Sequence, residues 1–317
     1  MNGDELVDSQ VIECRGLSRN FGSRAAVSNL EFNVSRGAVF GFLGPNGAGK
    51  TTTVRMMVGM LRPSSGSVRV LGLDPILQGE QVRSRCGVML DNVGLYERLS
   101  ARQNLLFAAK VARLDAALGR QRVDEALHRV DLWDRRNDKV SGFSKGMRQK
   151  LGLARALMSE PEILILDEPT AGLDPANIVM VRELLVSLAQ ESGRTIFLCT
   201  HLLAEAQRIC SRVAIMQNGR LLAIGDPNEL GEQSLPNFRL RLSGANSDKV
   251  RTLSLPGGAR LSPLGGDEWR VSVAGPADIE GIVIALVHEG IGIRAVVPEQ
   301  VSLEEQYLRL VGGETNG

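Results

Sequence analysis

Short apolar runs separated by helical patterns organise most of this chain. Val11–Leu17, Leu30–Val34, Val39–Leu43, Ile163–Leu166, Thr195–Cys199 and Val213–Met216 each read as a strand. Between them, apolar residues recur at helical spacing, as at Val54, Met57, Val58 and Leu61, or at Ile178, Val181, Leu184, Leu185 and Leu188. This alternation predicts an α/β architecture in which helices cover a mostly parallel sheet. Asn218-Gly219 predicts a two-residue hairpin with Arg220–Ile224 returning, because both turn positions tolerate positive φ.

From about Leu99 to Met158 the strand signals stop. Ser100 and Gln103 have the spacing of a capping box ahead of Leu105, Phe107 and Ala108, and a helical pattern continues through Val123 to Val130. A helical subdomain at about 92–160 is therefore expected as an insert in a first domain, 1–230. After Leu230 the stretch GEQSLPN breaks the pattern, and a new alternation starts at Phe238, Leu240 and Leu242. The remainder predicts a small α+β domain over 231–317, with strands at 237–243, 259–261, 269–273 and 293–297. A short helix at 248–253 and a clear one through Ile279, Ile282, Val283, Leu286 and Val287 complete it. That order fits a split βαβ sandwich.

Composition narrows the function classes. The chain's 317 residues are 43% apolar, enough for a sizeable core, and 37 Lys and Arg nearly balance 36 Asp and Glu. No global positive field argues for nucleic acid, so partners must be read from sites. Cys14, Cys86, Cys199 and Cys210 lack the short paired spacings of a zinc site or a disulfide framework, and a reducing cytoplasm is the expected setting. MNGDELVDSQ has neither the basic start nor the apolar stretch of a secretory signal. No apolar run reaches the roughly 18 to 20 residues that span a bilayer, so a membrane role requires another chain to supply the spans.

The chemistry concentrates at strand ends. Gly44-Pro45-Asn46-Gly47-Ala48-Gly49-Lys50-Thr51 fits G-x-x-x-x-G-K-[ST] between an apolar strand and a helical pattern. Glycines let successive backbone N–H groups converge, and the following helix adds its positive end, so the centre suits a polyphosphate. Gly44, Asn46, Gly47, Gly49, Lys50, Thr51 and Thr52 are the candidate nucleotide contacts. Lys50 brings a cation to the β- and γ-phosphates, and the Thr51 hydroxyl suits Mg²⁺. Ile163–Leu166 reads as a strand buried on both faces, with Asp167 and Glu168 emerging where open parallel sheets bind ligands. Asp167 can hold Mg²⁺ through water, and Glu168 can orient and deprotonate an attacking water. His201 follows another apolar strand, Thr195–Thr200, within reach of a γ-phosphate or as an ordinary structural histidine. Asp174-Pro175 reads as a helix N-cap with proline at the first helical position.

These elements in this order resemble the nucleotide-binding subunit of an ATP-binding-cassette transporter over about residues 11–230. Ser144-Lys145-Gly146-Met147-Arg148-Gln149 carries the resemblance, as the SxGM variant of that family's signature loop. On physics alone the same residues are also an ordinary capped helix start. The resemblance implies a P-loop NTPase core, ATP and Mg²⁺ as cofactors, and a head-to-tail homodimer in which Ser144 and Gly146 cap the γ-phosphate held by the other copy's Lys50. It also assigns Phe21 to stacking on adenine, His201 to sensing the γ-phosphate, and Gly172-Leu173-Asp174 to cross-talk between sites. An aromatic near a strand end is more often part of the core. The family usually places glutamine after the strand matching Gly87-Val88-Met89-Leu90, where this chain has Asp91. A carboxylate can still ligate Mg²⁺, with shorter reach. Intact Glu168 and His201 predict competent hydrolysis.

Gly94-Leu95-Tyr96 and the segment Ser302–Leu308 resemble daunorubicin-resistance-type export ATPases, though an amphipathic terminal helix with Leu303, Tyr307 and Leu310 on one face accounts for the latter too. The implied function is the energy-coupling ATPase of an exporter, at the cytoplasmic face of the cell membrane beside a separate integral-membrane permease. The alternative is a soluble cassette ATPase acting on ribosomes or nucleic acid. Such proteins generally carry two cassettes or a long coiled-coil insert, and this chain has neither. A GTPase would need its guanine-selecting Asn-Lys-x-Asp, which is missing here.

Overall fold

The computed structural model describes residues 10–91, 93–190, 192–230, 237–243, 250, 253, 255–273, 275, 278–299 and 302–313. Contacts divide the chain into two compact units, one running to Pro227 and taking in the chain from Arg309, the other Asn228–Leu308.

The first unit begins with β1 (Gln10–Phe21), β2 (Arg24–Ser35), β3 (Val39–Leu43), α1 (Lys50–Met57) and β4 (Ser65–Val70). It continues with α2 (Gly79–Arg85), β5 (Cys86–Met89), α3 (Ala101–Val111), α4 (Ala116–Arg129), α5 (Lys145–Ala156) and β6 (Ile163–Asp167). After these come α6 (Pro175–Gln190), β7 (Thr195–Thr200), α7 (Leu203–Ile209), β8 (Arg212–Gln217) and β9 (Arg220–Gly225). A six-stranded sheet runs β5-β6-β7-β3-β8-β9. Its first five strands are parallel, and β9 returns antiparallel beside β8 through the Asn218-Gly219 turn, both residues at positive φ.

The strands expected at 11–17 and 30–34 do not join that sheet. β1 and β2 pair antiparallel from Phe21↔Arg24 outward, and β4 flanks β1 to make a separate three-stranded sheet. The cause is local: Gly22-Ser23 closes a two-residue hairpin between long strands whose buried positions alternate. Phe32 of β2 ties the two sheets together. Its ring lies 5.6 Å from Phe40, 5.4 Å from Phe42 and 6.1 Å from Phe197 in the parallel sheet. Such ring pairs add about 0.5–1.5 kcal/mol each beyond the area they bury.

The helical segment α3–α5 has its own core of Leu105, Val123, Leu127, Val130, Leu151, Ala154 and Met158. Ser100 and Gln103 form the expected capping box on α3, and Asp115 caps α4 by accepting from the N–H groups of Ala117 and Leu118. The helix expected around Val54–Leu61 starts earlier, at Lys50, and stops at Met57.

The second unit contains β10 (Asn237–Ser243), β11 (Leu261–Gly265), β12 (Glu268–Ser272), α8 (Asp278–His288) and β13 (Gly292–Glu299). A terminal helix, α9, spans Leu303–Gly313. The sheet order is β11-β12-β10-β13 with every neighbour antiparallel, which is the split βαβ arrangement. Leu240, Leu242, Trp269, Val271, Ile282 and Leu286 fill its core. The strand expected at 259–261 lies at Leu261–Gly265. The helix expected at 248–253 falls mostly outside the described residues.

Candidate nucleotide site

β3, β6 and β7 are buried along their whole length and end at one edge of the parallel sheet. A cavity of about 790 Å³ opens there, lined by Phe21, Asn46, Gly47, Gly49, Lys50, Thr51, Thr52, Asp91, Asp167, Glu168 and His201 among others.

The loop between β3 and α1 is shaped by close backbone approach. Gly49 sits at φ 111°, and a side chain there would come within 2.6 Å of the Ala26 carbonyl oxygen, so only glycine lets α1 start at this point. Lys50 is buried. Its Nζ donates to the carbonyl oxygens of Gly44 at 2.6 Å and Pro45 at 3.3 Å and lies 3.5 Å from Glu168 Oε1.

Thr51 Oγ1 donates to Asp167 Oδ2 at 2.6 Å, linking the start of α1 to the end of β6. Burial pushes the Asp167 carboxyl above the ordinary carboxylate range; the Thr51 hydrogen bond and Lys50 pull the other way, while Glu168 and Asp91 add to the rise. The pair offers hard oxygen donors and no soft ones, a donor set that fits Mg²⁺.

Glu168 has φ 53°, in the left-handed region. A non-glycine residue there costs about 1–3 kcal/mol and persists only where its surroundings fix it. Its N–H donates to the Cys199 carbonyl oxygen at 2.9 Å, and Gln149 Nε2 donates to its carbonyl oxygen at 3.4 Å. The carboxylate is clamped as well. Thr200 Oγ1 donates to Oε2 at 3.3 Å, and His201 Nδ1 lies 2.9 Å from the same oxygen. Among the described residues Oε1 has no hydrogen-bond partner, and Lys50 Nζ lies 3.5 Å from it. A carboxylate held this way at the cavity wall, with one oxygen free of hydrogen bonds, is suited to accept a proton from a water placed beside it.

The comparisons with known proteins agree in kind. A family described as ABC transporter matches residues 27–171. The daunorubicin resistance ATP-binding protein of Streptomyces coeruleorubidus is 36% identical over 309 residues, covering 94% of this chain and 95% of that one. The Nod factor export ATP-binding protein I of Rhizobium etli is 33% identical over 311 residues, covering 98% and 96%. The chain belongs to the ABC transporter family. The solved structure of cbiO1 from Clostridium perfringens, part of the ABC transporter complex cbiONQ, superimposes with a TM-score of 0.64 at 30% identity, over 71% of this chain and 92% of that one. The fold is thus that of an ABC ATPase, and the activity is ATP hydrolysis by the cassette.

The remaining expected site residues of the cassette lie at different places. Phe21 is half exposed at the cavity wall, with the Arg19 guanidinium 4.7 Å from its ring centre. Ser144 caps α5, accepting from Met147 N–H at 3.2 Å; neither it nor Gly146 lines its own chain's cavity. Asp174 accepts from Asn177 N–H at 2.9 Å as the cap of α6, also outside the cavity. Thr200 and Gln149 were not anticipated. Thr200 had a signal, since it ends the strand that His201 follows. Gln149 had one as well, as the last residue of the signature loop Ser144–Gln149.

Proposed function

We propose that this chain is the energy-coupling ATPase of an exporter. Two copies close around two ATP molecules and drive a separate integral-membrane permease from the cytoplasmic face. The observation that carries the reading is the Lys50–Glu168–His201 cluster at the sheet edge, with Glu168 held in a strained backbone conformation. In this reading the backbone N–H groups of Gly47, Gly49 and Lys50 grip the phosphates, and Lys50 turns from its carbonyl partners to the β- and γ-phosphates. Glu168 takes the proton of the attacking water, and His201 steadies the γ-phosphate end. Thr51 and Asp167 would hold Mg²⁺, which would neutralise charge on the phosphates. Phe21 offers a face for the adenine. Ser144 and Gly146 reach the partner copy's ATP, which fits their position away from their own cavity.

Among the described residues no helix is long and apolar enough to cross a membrane, which supports a permease on another chain. The groove between α2 and α3, with Tyr96 edge-on to Phe107 at 5.0 Å and Val111 exposed, offers a surface for it. Relatives named for export and drug resistance support transport over action on ribosomes or nucleic acid.

Phosphate release from Mg-ATP tests the reading. Wild-type protein should hydrolyse ATP, and Glu168→Gln should reduce the rate by about 10²-fold or more while keeping ATP bound. Tight ATP binding with no phosphate release by wild type, alone and with its membrane partner, would overturn it.

A further inference from the structure

The nucleotide cavity and a smaller one of about 230 Å³ beside it share Asp91 and Lys145 in their linings. The smaller cavity lies between the segment after β5 and the first turns of α5, and its wall sorts charge by element. The segment supplies the acids Asp91 and Glu97; α5 supplies the bases Lys145 and Arg148. One rung of this ladder is closed, because Arg148 Nη1 donates to Glu97 Oε1 at 3.1 Å. Asp91 and Lys145 are the other acid and the other base, and they are the two that also face the nucleotide cavity.

Lys145 stands where a cation is locally unfavourable. It is the first residue of α5, whose first turn holds no acid, and the helix dipole there favours negative charge. Its stem lies over Gly172. A methyl group on Gly172 would come 2.7 Å from Lys145 Cδ and 3.2 Å from Nζ, so the bare backbone at that turn forms the track along which the side chain reaches the cavity. Asp91 stands among other acids. It shares the wall with Asp167 and Glu168, while Lys50 is already bonded to the loop carbonyls and faces Glu168. A triphosphate brings more negative charge to the same space.

We propose that Lys145 is a positioning residue that neutralises Asp91 across the mouth of the nucleotide cavity, so that the parallel sheet and the helical segment close together over the phosphates. The inference rests on the reading of the cavity as the ATP site. It turns the Asp91 departure into one half of a charge pair whose other half is Lys145, beside the Arg148–Glu97 ion pair already formed.

The test is a double-mutant cycle on Mg-ATP affinity, measured by displacement of a fluorescent ATP analogue in the Glu168→Gln protein so that hydrolysis is slow on the time scale of the measurement. Lys145→Met should weaken binding about fivefold with Asp91 present and less than about twofold in the Asp91→Asn background. Lys145→Arg should restore affinity to within about twofold, because it keeps the charge. Thermal unfolding of each variant without nucleotide shows whether it is folded. Equal losses in both backgrounds would make Lys145 an independent phosphate contact and overturn the pairing, as would no loss at all. A weakened Mg²⁺ requirement in Asp91→Asn, uncoupled from Lys145, would make Asp91 a metal ligand and overturn it too. Lys50→Ala separates the two levels: if it leaves affinity unchanged, the nucleotide site itself is misplaced, whereas if it abolishes binding and the cycle is additive, only the pair fails.

Discussion

At Asp167 function and stability oppose each other. The residue is 1% exposed, and burial is the main reason its carboxyl is held above the ordinary value. A raised carboxyl in the folded state means that ionisation opposes folding. That penalty is present above the folded pKa and is relieved as pH falls through it. Asp167→Asn keeps an oxygen for the Thr51 hydroxyl and removes the buried charge. At pH 7.5, without nucleotide, it should therefore raise the melting temperature by about 2–4 °C, the shift expected for roughly 1 kcal/mol in a unit of this size. The gain should shrink in acid, and Mg-ATP hydrolysis should fall by about 10²-fold. A lower melting temperature at pH 7.5 would show that Asp167 is stabilised by Lys50 more than it is penalised by burial.

Among the elements, the parallel sheet is fastened at the end opposite the site. Glu162, just before β6, accepts from Arg85 Nε at 2.6 Å and Arg36 Nη1 at 3.2 Å, joining the starts of β3, β5 and β6. The Arg85 hydrogen bond is the first reason its carboxyl lies below the ordinary value. The sign is the reverse of that at Asp167: the stabilisation is present above the unfolded pKa and lost as pH falls through the lower folded one. The side chain is more than a third exposed, so solvent screening keeps the effect small. Glu162→Gln should lower the melting temperature by about 1–3 °C near neutral pH and by less in acid, checked by thermal scans at two pH values. The sequence revealed β3, β6 and β7 because each is an unbroken apolar run followed by polar residues. It concealed β4, since Ser65–Val70 carries only Val68 and Val70 as apolar residues. The reading of β1 and β2 as members of the parallel sheet came from their apolar centres; the Gly22-Ser23 turn and the alternation of buried positions assign them elsewhere. Glu168 was legible as a carboxylate at a strand end, but not its left-handed backbone, because Cys199, Thr200 and Gln149, which hold it, come from other elements.

For the whole molecule, the proposed dimer makes a demand that a single copy does not. Ser144 serves its own chain as the cap of α5 and, in the proposed assembly, serves the partner's ATP. These roles separate chemically. Aspartate caps a helix about as well as serine, whereas alanine loses about 1 kcal/mol. Ser144→Asp should therefore leave nucleotide-free stability close to wild type, while Ser144→Ala lowers the melting temperature by about 2–4 °C. At the proposed interface the new carboxylate would face the terminal phosphate of the partner's ATP. In the Glu168→Gln background, where ATP should hold two copies together, Ser144→Asp should abolish nucleotide-dependent dimers, and Ser144→Ala should only weaken them. Size-exclusion chromatography with light scattering, with and without Mg-ATP, reads both. Undiminished ATP-dependent dimers in Ser144→Asp would mean that the helix start at Ser144 lies outside the interface and that its serine is a cap and nothing more.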